Sequence, residues 1–453
     1  MTLLDTVLPF LLILIVLIVV HELGHYITAK LFRVKVLEAG LGYPPRVWGF
    51  TWRDTIYSIN ALPLGGFVRL LGEEDPGDPD SLAAKPRWVR LIVLASGSGM
   101  NFLLPIFLFA LAFMIPRQVA VGPAVISEVV TESPAAQAGL QTGDTILELN
   151  GERIKNVQEA GRLIRLNLGE EITFKVKRQA FGGGNEVLSL PVHARWAPPD
   201  LVYAVEPGDT TTTVADYLGV SAEAVMDAAG IKFTLDEGQV LAVQTDDGPV
   251  TYTVQRGDSV ATVARRLGVS QEAVRLAADL PDPNQLTPGR TLRMDQGPTG
   301  IRIGNLYPFT ESESFPPWEA IPKGWTATLD SLILARNQVI SMFKGGSGPD
   351  VAGPVGIAQA TGEVVKQAGW QTLLDFAALL SINLAIINIL PLPMLDGGRI
   401  AFVLLEIARR GKRIAPEKEA LVHFVGLALI ITLAVVVTYF DVVRLIRGES
   451  LFR

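Results

Sequence analysis

Residues 7–30, VLPFLLILIVLIVVHELGHYITAK, run without a polar side chain as far as Val20 and then straight into His21-Glu22-Leu23-Gly24-His25. A stretch this apolar reads as a membrane-spanning helix, and few folds tolerate two histidines and a glutamate inside one. On a helix, positions i and i+4 share a face, so His21 and His25 can offer imidazole nitrogens to one metal ion. Glu22 then lies beside that ion, free to act as a base. One charge at the centre of a bilayer costs about 2.5–3.5 kcal/mol, so a metal, a partner group or a wet cavity must compensate. The segment predicts a metal site within the membrane.

The 453-residue chain is 49% hydrophobic and only 19% charged, too apolar for an ordinary soluble protein and long enough for several domains. Apolar stretches of spanning length occur at residues 7–32, 89–115, 373–407 (interrupted by prolines) and 420–443. The first has no basic leader and no small-residue cleavage site, and it ends in the metal motif, so it is expected to be retained. The chain has no cysteine, which excludes disulfides, thiolate ligands and cysteine nucleophiles. Any metal must therefore use His, Asp or Glu. The net charge of −7 comes with no dense basic run interleaved with aromatics, so nucleic acid is not an expected partner.

Lys and Arg crowd two inter-span loops: Lys30, Arg33, Lys35, Arg46, Arg53, Arg69, Lys85, Arg87 and Arg90 in one, Arg409, Arg410, Lys412, Arg413 and Lys418 in the other. The positive-inside rule puts both loops in the cytoplasm. Residues 117–324 and both termini are then expected outside, although Arg444, Arg447 and Arg453 run against the pattern.

Between the second and third spans the composition becomes that of soluble domains. AVISEVVTESPAAQAGLQTGDTILELNGERI reads as a strand, a helix starting at Ser133-Pro134 and ending at Gly139, a Thr142-Gly143-Asp144 turn, a strand and a tight Asn150-Gly151 turn. Residues 157–166 supply a longer helix, and residues 172–178 and 186–196 a hairpin across Phe181-Gly182-Gly183-Gly184-Asn185. This region resembles bacterial PDZ domains. An internal repeat follows, in which YAVEPGDTTTTVADYLGVSAEAV from Tyr203 aligns with YTVQRGDSVATVARRLGVSQEAV from Tyr252. Gly208-Asp209 matches Gly257-Asp258, and Leu218-Gly219-Val220-Ser221 matches Leu267-Gly268-Val269-Ser270. Each copy reads strand, turn, helix, glycine cap, serine cap, helix; LTPGRTLRM closes the second as a returning strand. The pair resembles LysM modules, which implies binding of peptidoglycan or other N-acetylglucosamine-containing glycans. The closing part of the first copy, LDEGQVLAV, lacks that family's asparagine-leucine-proline run. GPTGIRIGNLYPF reads as one more strand completing the PDZ-like region. Residues 308–322 form a Pro-rich connector, and residues 326–343 have the helical spacing of a segment lying on a membrane surface.

HExxH alone is a moderate signal, because many helices that bind nothing carry it by chance. A third donor is available in the third apolar segment, where Asn388-Ile389-Leu390-Pro391-Leu392-Pro393-Met394-Leu395-Asp396-Gly397-Gly398 breaks the helix. Backbone freed by such a break must be buried in protein or line a wet cavity, and Asp396 can offer a carboxylate oxygen there. Two histidines and one carboxylate leave a fourth position open on tetrahedral zinc, the arrangement of a catalytic site. Together with these two motifs, Leu64-Gly65-Gly66-Phe67-Val68, Asn101-Phe102 and Gly353-Pro354-Val355-Gly356-Ile357 make the chain similar to bacterial site-2 proteases of the RseP type. The resemblance covers everything but the LysM-like pair. It implies that His21, His25 and Asp396 bind Zn²⁺, that Glu22 is the catalytic base, and that Asn388, Pro391, Pro393, Gly65 and Gly66 contact the substrate. It implies transmembrane protein substrates and a place in the lipid bilayer of the bacterial inner membrane, with the PDZ-like domain as a gate. Gly97-Ser98-Gly99-Met100-Asn101-Phe102 departs from the family pattern, which has a proline after the first glycine.

The expected fold is a multi-pass α-helical membrane protein of about four transmembrane helices with extracytoplasmic α+β domains. Residues 1–118 hold spans one and two and a cytoplasmic hairpin loop; 119–200 form the PDZ-like domain, completed by 298–310; 201–248 and 249–296 form two βααβ LysM repeats; 308–345 are connector and amphipathic helix; 346–453 hold spans three and four. Leu64-Gly65-Gly66, between IYSIN and FVRLL, reads as the turn of a hairpin able to pair with an unwound substrate. Gly97 and Gly99 read as a helix-packing surface, and His193 and His423 as structural histidines. Two other functions are open: a glycan-anchored membrane scaffold with a vestigial metal site, and a transporter with a broken helix. The complete donor set weighs against the first, and the few spans without repeated membrane halves against the second.

Overall fold

The computed structural model describes residues 3–73, 77–179, 184–220, 222–231, 235, 238–245, 248–254, 260–280, 282, 286–305, 309–346 and 352–446. The chain forms two compact units. One comprises Met1–Val119, Glu311–Arg336 and Pro349–Arg453, the other Ala120–Thr310 and Asn337–Gly348. Four helical stretches are long and apolar enough to cross a membrane: Val7–Leu31, Arg87–Met114, Thr372–Ile389 and Glu417–Ile446.

Helix α1 (Leu3–Leu31) carries the opening apolar run. Strands β1 (Val36–Trp52) and β2 (Thr55–Leu70) follow, joined at Arg53 and Asp54, both at positive φ. Their pairing corrects the hairpin expected at Leu64-Gly65-Gly66. Residues 56–59 and 66–69 do not pair with each other but flank residues 38–41 on either side, while residues 48–52 pair with 55–59. The turn signal and the alternation around it were real; the partner strand came from upstream. Helix α2 (Arg87–Met114) then packs on this layer through Val89 and Val93, which share a core with Ala29, Val34, Val36, Leu70 and Leu82.

The second unit is built on a six-stranded sheet. Strands β3 (Arg117–Val121) and β4 (Ala124–Val129) lead to the short helix α3 (Pro134–Gln137), where Ser133 Oγ accepts the Ala136 N–H. Strands β5 (Thr145–Leu149) and β6 (Glu152–Arg153) are joined by Asn150 and Gly151, both at positive φ, as a two-residue hairpin demands. Helix α4 (Val157–Leu166) is capped by Asn156 and followed by β7 (Glu171–Gln179) and β8 (Asn185–His193). Along β7, Ile172, Phe174 and Val176 point into a core shared with Ile126, Ile146, Leu149 and Leu163.

The repeated segment is inserted after β8. It comprises β9 (Asp200–Ala204), α5 (Thr211–Leu218), α6 (Ala222–Ala228), β10 (Val240–Thr245), β11 (Gly248–Thr253), α7 (Val260–Leu267), α8 (Gln271–Ala277) and β12 (Thr291–Asp295). Phe181, Gly182, Gly183, Ser221, Gly257 and Asp258, named above in expected turns, lie outside the described residues. The expected returning strand of the second copy does not return to its own copy. Strand β12 pairs with β9, and β10 pairs with β11, so the closing strands are exchanged. Leu292 and Met294 accordingly sit in one core with Val214 and Val225 of the first copy, whereas Leu241 and Val243 sit in another with Val263 and Val274 of the second. The copies differ in detail too: Tyr203 donates to Asp209, which pushes its phenol pKa up to about 12, while Tyr252 receives from Arg266. The exchange puts the first and last strands of the insert side by side, so the host sheet resumes at once. Strand β13 (Ile301–Asn305) pairs with β4, giving the order β13-β4-β5-β7-β8 with β6 on β5.

After β14 (Phe309–Glu313), helix α9 spans Pro317–Phe343, starting well before residue 326 and inside the expected Pro-rich connector. Pro317 is its first residue, where a missing N–H costs nothing, so proline there signals a helix start and not a linker. Helix α10 (Pro354–Ala368) was not expected as an element. Helices α11 (Thr372–Ile389) and α12 (Asp396–Ala408) are the two halves of the proline-broken segment, and α13 (Pro416–Ile446) is the last span. Buried Glu406 ties α12 to the start of α2, accepting from Arg90 Nη1 at 2.6 Å and Arg87 Nε at 3.2 Å.

Candidate metal centre

His21 and His25 lie one turn apart on α1 with both rings buried. Asp396 arrives from the first residue of α12, where the positive end of the helix dipole favours a carboxylate. Its Oδ2 stands 3.2 Å from His21 Nε2 and 3.3 Å from His25 Nε2, and the two Nε2 atoms are 3.3 Å apart. That Oδ2 atom is buried and accepts no hydrogen bond. A tetrahedral ion with bonds of about 2.0 Å separates its donors by about 3.3 Å, so the triangle has the size zinc requires. Among the described residues this is the one group of three or more such side chains that could hold a metal ion.

The second span sets the imidazoles. His25 Nδ1 donates to the Val93 carbonyl at 2.8 Å, which leaves Nε2 as the metal donor. The Asn101 and Asn388 carboxamides lie 3.4 and 3.5 Å from His21 Nδ1. Between Val93 and Asn101 on the same face of α2 is Gly97, where a Cβ would stand 2.3 Å from His25 Nε2 and 2.7 Å from His21 Nε2. Gly97 is thus a packing residue, but what it packs against is the donor pair itself. Gly99 meets nothing within 4 Å.

Glu22 lines a cavity of about 320 Å³ between α1 and the β1–β2 layer, together with Tyr26, Tyr57, Gly66 and Phe67. A Cβ on Gly66 would come within 3.3 Å of Glu22 Cγ, so the chain passes directly over the carboxylate side chain. Gly65, at φ +127°, makes the bend before it. Gly66 to Leu70 pairs with β1 on one side only among the described residues.

The loop that delivers Asp396 loses two N–H donors to Pro391 and Pro393. What remains is used: Leu392 donates to the Leu390 carbonyl at 2.6 Å, Gly398 to Leu395 at 3.0 Å, and Met394, at φ +74°, to His423 Nδ1 at 2.9 Å. Pro391 is exposed, whereas Pro393 packs on Gly426 of α13. Three supports were not assigned from the sequence: the Val93 carbonyl, Asn101 as a neighbour of His21, and the loop N–H that His423, read as a structural histidine, accepts. Two left a signal, a polar residue four places from Gly97 and a histidine in an apolar span.

The sequence pattern of peptidase family M50 matches residues 9–433. The chain belongs to that family. It is similar to the regulator of sigma-W protease RasP of Bacillus subtilis, 27% identical over 97% of this chain and 99% of that one. Zinc metalloprotease RasP of Oceanobacillus iheyensis is also 27% identical, with the same coverage. A Clostridium perfringens protein that carries a zinc metalloprotease name is 29% identical over 94% of this chain and 95% of its own. This M50 member is therefore an intramembrane zinc metalloprotease, with Zn²⁺ as its cofactor and His21, His25 and Asp396 as the group fitted to it.

Replacing Gly97 with Ala is expected to weaken zinc binding at least about 10-fold, measured by chelator competition on purified protein. Gly99→Ala, with open space for its methyl, is expected to leave it unchanged. Equal affinity in the two variants would contradict the packing described.

Proposed function

We propose that the protein is an endopeptidase that cuts peptide bonds inside transmembrane segments of other membrane proteins, with His21, His25 and Asp396 as the zinc ligands and Glu22 as the base. The juxtaposition of the donor triangle with Glu22 and a one-sided strand carries this reading. Zinc held there supplies a Lewis acid that lowers the pKa of a water molecule toward 7 and polarises the scissile carbonyl. Glu22 takes the proton from the attacking water and passes it to the departing amide nitrogen. A helix offers no free backbone donors for recognition, so the substrate must first unwind. Its extended backbone then adds to the strand beginning at Gly66, with Gly65 setting the bend. Asn388, whose carboxamide lies beside His21, and Pro391 and Pro393 of the broken loop are the further residues we assign to substrate contact.

The remaining parts read as control. The sheet unit, with strand β13 supplied after the insertion, supports a PDZ-like gate that limits which substrates approach. The paired repeats support LysM-type binding of peptidoglycan. The distribution of Lys and Arg supports a location of both outside the bacterial inner membrane, with the β1–β2 layer on the cytoplasmic side.

Glu22→Gln is expected to lower cleavage of a model transmembrane substrate by about 10²- to 10⁴-fold while zinc content stays at the wild-type value. Cleavage at the wild-type rate would remove Glu22 from the chemistry. A chain lacking residues 201–294 is expected to retain zinc and lose co-sedimentation with peptidoglycan. Unchanged co-sedimentation would remove the glycan reading.

A further inference from the structure

We propose that His423, on the last span, is a positioning residue of the metal centre: it fixes the loop that aims Asp396 at His21 and His25. This rests on the assignment of Asp396 as a ligand. Asp396 stands at a helix start whose preceding residues make few bonds of their own, Leu392 to Leu390 and Leu395 to Leu392, because Pro391 and Pro393 cannot donate, and Met394 sits in the left-handed region. Something outside the loop must select this conformation. Helix α13 does so at two points one turn apart. His423 Nδ1 accepts the Met394 N–H at 2.9 Å. Gly426 opens a notch that Pro393 fills, since a Cβ at Gly426 would stand 2.1 Å from Pro393 Cβ.

The His423 ring is buried and also faces Phe402 of α12, with ring centroids 5.5 Å apart. One side chain therefore touches the residues before Asp396 and the helix after it. Because Nδ1 accepts, the ring proton lies on Nε2, whose side faces Glu419 at 4.0 Å. An acceptor at the Nδ1 position is what the loop needs; the rest of the imidazole is packing. Asparagine places its Oδ1 near that position, and leucine fills similar space with no acceptor.

The test is zinc affinity of the full-length protein in detergent at fixed pH, by chelator competition. His423→Leu is expected to bind zinc about 10- to 100-fold more weakly, the usual consequence of removing a group that orients a ligand. His423→Asn is expected to stay near the wild-type value. Gly426→Ala, which displaces Pro393 without touching His423, is expected to weaken zinc binding as well, and it answers the question should the leucine variant not fold. Asp396→Ala provides the reference for loss of the ligand itself: zinc bound there as in the wild type would refute the site, not the positioning. Wild-type affinity in His423→Leu or Gly426→Ala, or an asparagine variant as weak as the leucine one, overturns the proposal.

Discussion

Three electron-pair donors held 3.2–3.3 Å apart among buried groups repel one another unless a cation stands among them. Metal binding releases that repulsion. Structural zinc sites in small peptides gain about 10–16 kcal/mol from the ion, well above the roughly 2.5–3.5 kcal/mol that one charge costs at mid-bilayer. The ion is thus large enough to account for the placement of His21, His25 and Asp396 in apolar helices. Its demand for fixed donor geometry also accounts for much of what surrounds them.

Each donor is fixed by a different device. His25 is tied to a backbone carbonyl of α2, and the Gly97 surface brings that helix close enough for the bond to form. Ser381 of α11 donates to the Asn101 carbonyl at 2.9 Å, which registers the proline-broken segment against the same helix. Asp396 depends on a loop whose own bonds are few and on the side of α13 that meets it. Glu22 and Gly66 share a cavity wall, so the carboxylate proposed as the base and the strand edge proposed to take the substrate come from adjacent surfaces. A rigid donor set beside an open cavity is the combination that metal-assisted hydrolysis needs.

The metal site was legible in the sequence because it depends on residue types at fixed spacing. His21-Glu22-xx-His25 declares its face on any helix, and a proline-broken span ending in Leu395-Asp396-Gly397 declares a break that must be buried in protein or line a wet cavity. Pairing between distant strands is not declared this way. The repeat made the two copies look self-contained, yet β10 and β12 carry the same alternating pattern and can serve either partner, so only the assembled chain decides the exchange. The same ambiguity turned the flanks of Leu64-Gly65-Gly66 into an apparent hairpin when β1 lies between them. Pro317 and Pro322 hid the first turns of α9. His423 looked solitary because its partner is a backbone N–H, which no side-chain pattern reveals.

The central claim is that donors from α1 and α12 make one zinc site. X-ray absorption at the zinc edge, with metal counted per chain, tests it most directly on wild-type and Asp396→Ala protein. The account predicts one zinc per wild-type chain, bound by two imidazole nitrogens and oxygen donors at about 2.0–2.2 Å, with occupancy falling in the variant. A variant with unchanged stoichiometry and spectrum, or a wild-type ion with fewer than two imidazoles, would contradict it.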